Sequence, residues 1–285
     1  MGGYSKVQYV NKEKNIYIIA KEISLGEGVT FGKNINIRLH GKFCVGDRSH
    51  IGNDATMTGN NVTIGRDLYN SSALKVGGGG SQNPDSNLFI GDRCVVHNSY
   101  INTASPVTIG DDVGFSNHVD IITHGFWASV LEGYPASFDG VTIGSNVIFG
   151  YRTSILMGAS VCDNVVIGAH SLISKSLSKP GIYAGSPAKF IRGITTLSHD
   201  EKVIKLKDII FKYEVVAAYH GVIYTLEADY PLVKFNDFCV NVETFSFEGV
   251  EDEFSDDFRD FLRKWGIRVY TNRPFRSMLN PPTHG

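Results

Sequence analysis

The chain has 285 residues, long enough to bury one large core or two modest ones without help from metals or disulfides. Its 27 Lys+Arg stand against 29 Asp+Glu, and this near balance argues against a nucleic-acid or anionic-membrane footprint. Four cysteines, Cys44, Cys94, Cys162 and Cys239, form no C-x-x-C pair, so buried reduced thiols are expected rather than a zinc knuckle or a disulfide framework.

At the start, Met1-Gly-Gly-Tyr-Ser-Lys has no signal-peptide core, and no apolar run in the chain approaches the roughly 20 residues that span a bilayer. A soluble, cytoplasmic chain without stable membrane insertion is expected. A six-residue period then begins, in Val29-Thr-Phe-Gly-Lys-Asn, Phe43-Cys-Val-Gly-Asp-Arg, Ser49-His-Ile-Gly-Asn-Asp and Val62-Thr-Ile-Gly-Arg-Asp. An aliphatic residue at a fixed place, a second apolar residue two later and Gly next suit a coil of three short strands per turn. In such a coil the apolar residues point inward, and Gly or Asn takes the corner, where a positive φ is expected. A β-sandwich would instead show period-2 strands at irregular spacing.

The period breaks from about Tyr69 to Asn87, a stretch holding Gly77-Gly78-Gly79-Gly80-Ser81. Without the Lys-Ser/Thr of a P-loop, those glycines read as a mobile surface loop. The period resumes at Leu88-Phe-Ile-Gly-Asp-Arg and Val107-Thr-Ile-Gly-Asp-Asp and breaks again after His124. The second excursion, Gly125 to Gly140, carries Phe126, Trp127, Leu131, Tyr134 and Phe138, and a loop this aromatic predicts burial against a ligand or a neighbouring subunit, with Trp127 as a substrate contact.

Six hexapeptides follow in unbroken phase from Val141 to Ser176, so the repeat covers most of residues 23 to 178. Beyond Arg192 the chain changes character. Ser198 and Glu201 form a capping box for a helix reaching about Tyr219. A strand near Thr244 to Phe247, a helix from Ser255 to Trp265 and a strand from Ile267 to Tyr270 complete the expectation. The Asp/Glu cluster from Glu248 to Asp260 reads as a solvated face. Residues 1–194 and 195–285 are thus expected to form a coil domain and a small α+β domain.

The order of His124, the excursion and Val141-Thr-Ile-Gly-Ser-Asn-Val resembles the hexapeptide-repeat acyltransferases, within them the maltose and galactoside O-acetyltransferases and the polysaccharide O-acetyltransferases. The closing Tyr183-Ala-Gly-Ser-Pro-Ala-Lys-Phe-Ile-Arg is similar to that family's last signature. The likeness is tightest from Val107 to Arg192. It implies a left-handed parallel β-helix, acetyl-CoA as co-substrate and a homotrimer with active sites between subunits. It further implies His124 as general base, the Tyr151 backbone N–H as oxyanion donor and Asn98 as an acceptor contact. Tyr151, Ala169, Ser174, Lys175, Lys189 and Arg192 would bind the cofactor. Where the family carries Trp in V-W-I-G, this chain has Ile148 and Phe149.

The expected reaction is O-acetylation of a sugar or oligosaccharide, probed against N-acetylation of an amino-sugar nucleotide as the alternative. A surface polysaccharide or its precursor is the expected acceptor. His97, His118 and His124 also invite comparison with the zinc site of γ-class carbonic anhydrases. The basic closing segment favours the transferase, and no metal site is expected. A non-catalytic scaffold would not need both His124 and the basic segment.

Overall fold

The computed structural model describes residues 7–279; the first six residues, in which no leader was read, lie outside the described residues. The chain divides into two compact units, Met1–Ile194 and Thr195–Gly285.

The first unit is a β-solenoid whose strands stack into three sheets of nine, nine and seven strands. Following the chain, the solenoid visits sheet 1 (Ile35–Leu39, for example), sheet 2 (Lys42–Val45) and sheet 3 (His50–Asn53), then returns to sheet 1 one coil on (Thr56–Gly59). Successive coils pair in parallel and in register: Ile37 lies beside Met57, Phe43 beside Val62 and His50 beside Tyr69. Strands of two to five residues suffice because alternate residues point inward, and Ile18, Ile37, Met57, Ile64, Ile101 and Ile121 join one continuous buried column. The six unbroken hexapeptides are six strands, hence two coils.

The repeat glycine works differently from the expectation. Gly46, Gly65 and Gly91, at the corner between sheets 2 and 3, do not adopt positive φ; a Cβ on each would lie 2.6–2.7 Å from the carbonyl carbon of the equivalent glycine one coil on. Glycine is needed there so that coils can approach, and the left-handed conformation falls two residues later, on Arg48, Asp67, Arg93, Asp112 and Asn146. Side chains at this corner tie the coils together. Asp92 Oδ1 accepts from the Arg66 N–H, Asp111 Oδ1 from the Asp92 N–H and Asp163 Oδ1 from the Ser145 N–H. Arg48 pairs with Asp67 at 2.8 Å and Arg93 with Asp112 at 2.8 Å.

The Tyr69–Asn87 stretch is mostly not a loop. Tyr69–Ser72 and Lys75–Gly77 are strands of sheets 3 and 1, so the true excursion is 78–86. The alternation of Tyr69-Asn-Ser-Ser hid its period because a fully buried Asn70 replaces the inward aliphatic; its side chain bonds the Gly52 N–H and the Val96 carbonyl. Of the cysteines, Cys94 is buried and the other three are half-buried, all four as free thiols. Among the described residues no helix is long and apolar enough to cross a membrane.

The second unit holds α1 (His199–Tyr219), a four-stranded antiparallel sheet and α2 (Glu253–Arg263). The Ser198/Glu201 capping box is present. Leu226–Asp229, Leu232–Phe235 and Phe238–Asn241 are strands that the sequence reading passed over, while Ile267–Tyr270 is not a strand. The core is aromatic, with Phe235 stacked on Phe258 at 4.6 Å and Tyr213 edge-on to Phe258 at 5.0 Å.

The acidic cluster is a solvated face only in its first half: Glu248, Asp252 and Glu253 are exposed, whereas Asp256, Asp257 and Asp260 are buried together with Arg259. Asp256 is bound by Arg259 and Arg273, each at 2.7 Å. Burial pushes its pKa up, but the two guanidiniums outweigh that and hold it below the usual carboxylate range. Asp257 accepts from the Tyr213 and Ser277 hydroxyls and the Met278 N–H. Charge count alone hid this burial, since Asp256 and Asp257 take donors distant in sequence, Arg273 and Tyr213 among them.

Candidate active site

Both excursions leave the solenoid at the same corner, between sheets 1 and 2, with one strand of sheet 1 between them: Lys75–Gly77 precedes loop 78–86, Tyr100–Asn102 intervenes, and Asp120–Ile121 leads to His124. Thus the glycine loop and the aromatic loop face each other across one coil.

At their junction the His124 Nδ1 is 2.8 Å from the Asn102 Oδ1. Asn102 is fully buried, and its network fixes the orientation of its amide. Its Nδ2 donates to the Gly77 carbonyl at 3.0 Å, and a carbonyl can only accept. Oδ1 must therefore be the atom facing His124, and it also accepts from the Thr123 hydroxyl and the Ala104 N–H. An amide oxygen only accepts, so Nδ1 of His124 is the donor, and in the neutral imidazole Nε2 is the nitrogen with the lone pair. Tyr100, whose hydroxyl meets the Asn102 Nδ2 at 3.0 Å, completes the support.

The aromatic loop is a short hairpin in which His124 pairs with Phe138 and Gly125 with Ser137. The imidazole stacks on Phe138 at 5.9 Å, Phe126 lies 5.3 Å away, and Phe126 stacks on Phe138 at 5.4 Å. On the other side lies Gly79, where a Cβ would come within 3.4 Å of Nε2. Nε2 thus borders the glycine loop, with residue 79 near enough for a Cβ to touch it. Trp127 and Leu131 are 96% and 94% exposed, so within one chain they contact almost nothing.

The remaining expected residues occupy other places. Asn98 sits at the corner between sheets 3 and 1, as do Tyr151 and Ala169. Tyr151 packs edge-on between His118 and His170 at 5.7 and 5.6 Å, and among the described residues its N–H has no acceptor. Ser174 and Lys175 return to the corner of His124, following Leu172–Ile173, which lies two strands beyond Asp120–Ile121 in sheet 1. Lys189 and Arg192 lie exposed on the final strand, Lys189–Arg192, antiparallel to Gly181–Ala184. Within one chain, therefore, the expected base and the expected oxyanion donor stand on different edges of the prism.

His97 bonds the Ser71 hydroxyl at 2.9 Å, and among the described residues no group of three His, Cys, Asp or Glu side chains is placed to hold a metal. Asn102, Thr123, Tyr100 and Gly79 were missed in the sequence. A legible signal existed for Asn102: aligning Ile101-Asn-Thr with Ile121-Ile-Thr-His by coil sets an amide one coil from Ile122, two residues short of the histidine.

No protein-family profile matches the chain. It is 38% identical over 114 residues to a Saccharomyces cerevisiae protein provisionally named as an acetyltransferase, covering 39% of this chain and 58% of that one. It is 31% identical over 119 residues to an Escherichia coli protein provisionally named as a lipopolysaccharide biosynthesis O-acetyltransferase, covering 37% and 60%. With the galactoside O-acetyltransferase of Escherichia coli it shares 30% identity over 136 residues, covering 48% and 56%. The chain thus spans less than two thirds of the length of these relatives. Its repeat, its closing segment and these likenesses make the solenoid similar to the hexapeptide-repeat acyltransferases.

Proposed function

We propose that the protein transfers an acetyl group from acetyl-CoA to a sugar hydroxyl, with His124 as general base. The observation that carries this reading is the Asn102-bound imidazole, whose Nε2 lies beside Gly79 of the glycine loop. In the proposed reaction Nε2 takes the hydroxyl proton as the oxygen attacks the thioester carbonyl. The new C–O bond forms, the C–S bond breaks, and the departing thiolate recovers the proton from the imidazolium. Asn102, Thr123 and Phe138 hold the ring in place during both transfers.

The charge that develops on the carbonyl oxygen needs a preorganised donor, and the Tyr151 N–H is the candidate. It lies on another edge from His124, so the proposal requires two chains side by side, the edge of one facing that of the next, in a homotrimer. Ala169 shares the Tyr151 edge and would line the pantetheine slot, while Ser174, Lys175, Lys189 and Arg192 offer donors for the phosphates and nucleotide of CoA. Trp127, exposed in one chain, would cover the acceptor or meet the neighbour. Asn98, on the Tyr151 edge, would reach the acceptor from that side.

The names of the Escherichia coli relatives support a sugar acceptor, and one supports a surface polysaccharide or its precursor. Thiol release from acetyl-CoA, measured over neutral sugars, oligosaccharides and amino-sugar nucleotides, tests the reading. Hydroxyl acceptors are expected to stimulate release; stimulation by amino sugars alone would make the reaction N-acetylation and overturn the O-transfer claim.

A further inference from the structure

The corner that carries His124 also carries a cleft of about 320 Å³ nearer the N-terminal end of the solenoid, lined by Ile19, Arg38, His40, Thr58 and Ser81. Ser81 belongs to the glycine excursion, so this loop borders both the cleft and the base. A continuous row joins them. Arg38 pairs in register with Thr58, Gly77 packs against Thr58, and Gly77 pairs with Asn102, the residue that holds His124. At about 4.8 Å per strand, Arg38 stands roughly 14 Å from Asn102 along this row. Thr58 fills the space that a Cβ at Gly77 would take, so the outer link from cleft to base is loop 78–86, whose Ser81 lines the cleft and whose Gly79 lies beside His124.

Arg38 differs from the arginines of the neighbouring coils, Arg48, Arg66 and Arg93. Each of those pairs with a carboxylate, whereas Arg38 bonds only the Asn36 amide oxygen at 3.1 Å and meets no carboxylate among the described residues. It is exposed at the cleft, with His40 beside it. A planar fork of donors without a counter-charge, next to an imidazole, suits a carboxylate or phosphate.

Resting on the acetyltransferase reading, we infer that the Arg38–His40 cleft is an acceptor subsite for an anionic group, and that the acceptor is an extended acidic saccharide reaching from this cleft to His124. Arg38 anchors the charge, Thr58 lines the path, and the saccharide follows loop 78–86 from Ser81 to Gly79. The subsite sets which acceptor binds and leaves the base chemistry unchanged.

Calorimetry without acetyl-CoA tests the inference separately from catalysis. The probes are trigalacturonate against its methyl ester, and maltotriose 6-phosphate against maltotriose, each titrated into wild type, Arg38→Ala and Arg38→Lys. At least one charged probe is expected to bind about ten-fold more tightly than its neutral partner, by a margin that Arg38→Ala removes, Arg38→Lys partly keeps and added salt weakens. The preferred pair tells carboxylate from phosphate. Equal binding of charged and neutral probes to wild type, or a preference that survives Arg38→Ala, would overturn the subsite. Thiol release by the wild type, read in parallel, reports on the transferase reading alone: turnover without a charge preference leaves that reading standing while the subsite falls.

Discussion

Asn102 shows how much of a site can hang on one buried amide. Its Nδ2 must face the Gly77 carbonyl, so its Oδ1 must face His124, and the imidazole tautomer follows. Asn102→Ala removes that constraint and is predicted to lower kcat by about 10- to 100-fold with little change in the KM for acetyl-CoA, the size of effect seen when an orienting partner is lost. An equal rise in KM would make the residue a mere packing element. His124 was legible because it stands alone at a break in a regular period. Asn102 was not, because an inward polar residue in a repeat reads as an irregularity until its partners are known.

Two other histidines carry a residue-scale consequence for stability. Burial, helped at His50 by the charge of Lys14, holds the imidazoles of His50 and His97 below their ordinary 6.5. The unfolded chain therefore takes up protons first as pH falls, so their contribution is complete above 6.5 and is lost as pH drops through the lower folded values. Thermal midpoints measured from about pH 7.5 down to about pH 5.5 are expected to fall, and the His50→Gln/His97→Gln variant to fall less steeply. Parallel slopes in the two proteins would contradict this.

At the scale of the element, the repeat was readable because each coil imposes the same demand at the same place. The reason for its glycine was not. Positive φ was the natural expectation, yet the demand at Gly91 is space: a Cβ would come 2.7 Å from the Gly110 carbonyl carbon. The coils would have to part locally, so Gly91→Ala is predicted to destabilise by about 1–3 kcal/mol, as overpacking does. Arg93→Gly, at a corner where φ is +57°, relaxes the backbone but removes the Asp112 ion pair, and is expected to cost less. Chemical denaturation of the two variants gives the comparison, and a milder effect for Gly91→Ala would refute the stacking argument. The tail was less legible for a related reason. Its short strands lack a repeat to mark them, and two of its buried carboxylates, Asp256 and Asp257, rely on Arg273 and Tyr213, which only the fold brings near.

Across the whole molecule, the expected residues are divided between two edges of the prism: His124, Ser174 and Lys175 on one, Asn98, Tyr151 and Ala169 on another. If neighbouring chains complete the site, coexpressing His124→Ala with Ala169→Trp, each inactive alone, is predicted to restore about one quarter of wild-type activity by random mixing in a cyclic trimer. No restoration would place the site within one chain. The most direct test of the account compares wild type with His124→Ala in thiol release from acetyl-CoA, with acetyl-CoA affinity measured on both. The account predicts that kcat falls by about two to four orders of magnitude while the affinity is kept. A variant as active as wild type would contradict it.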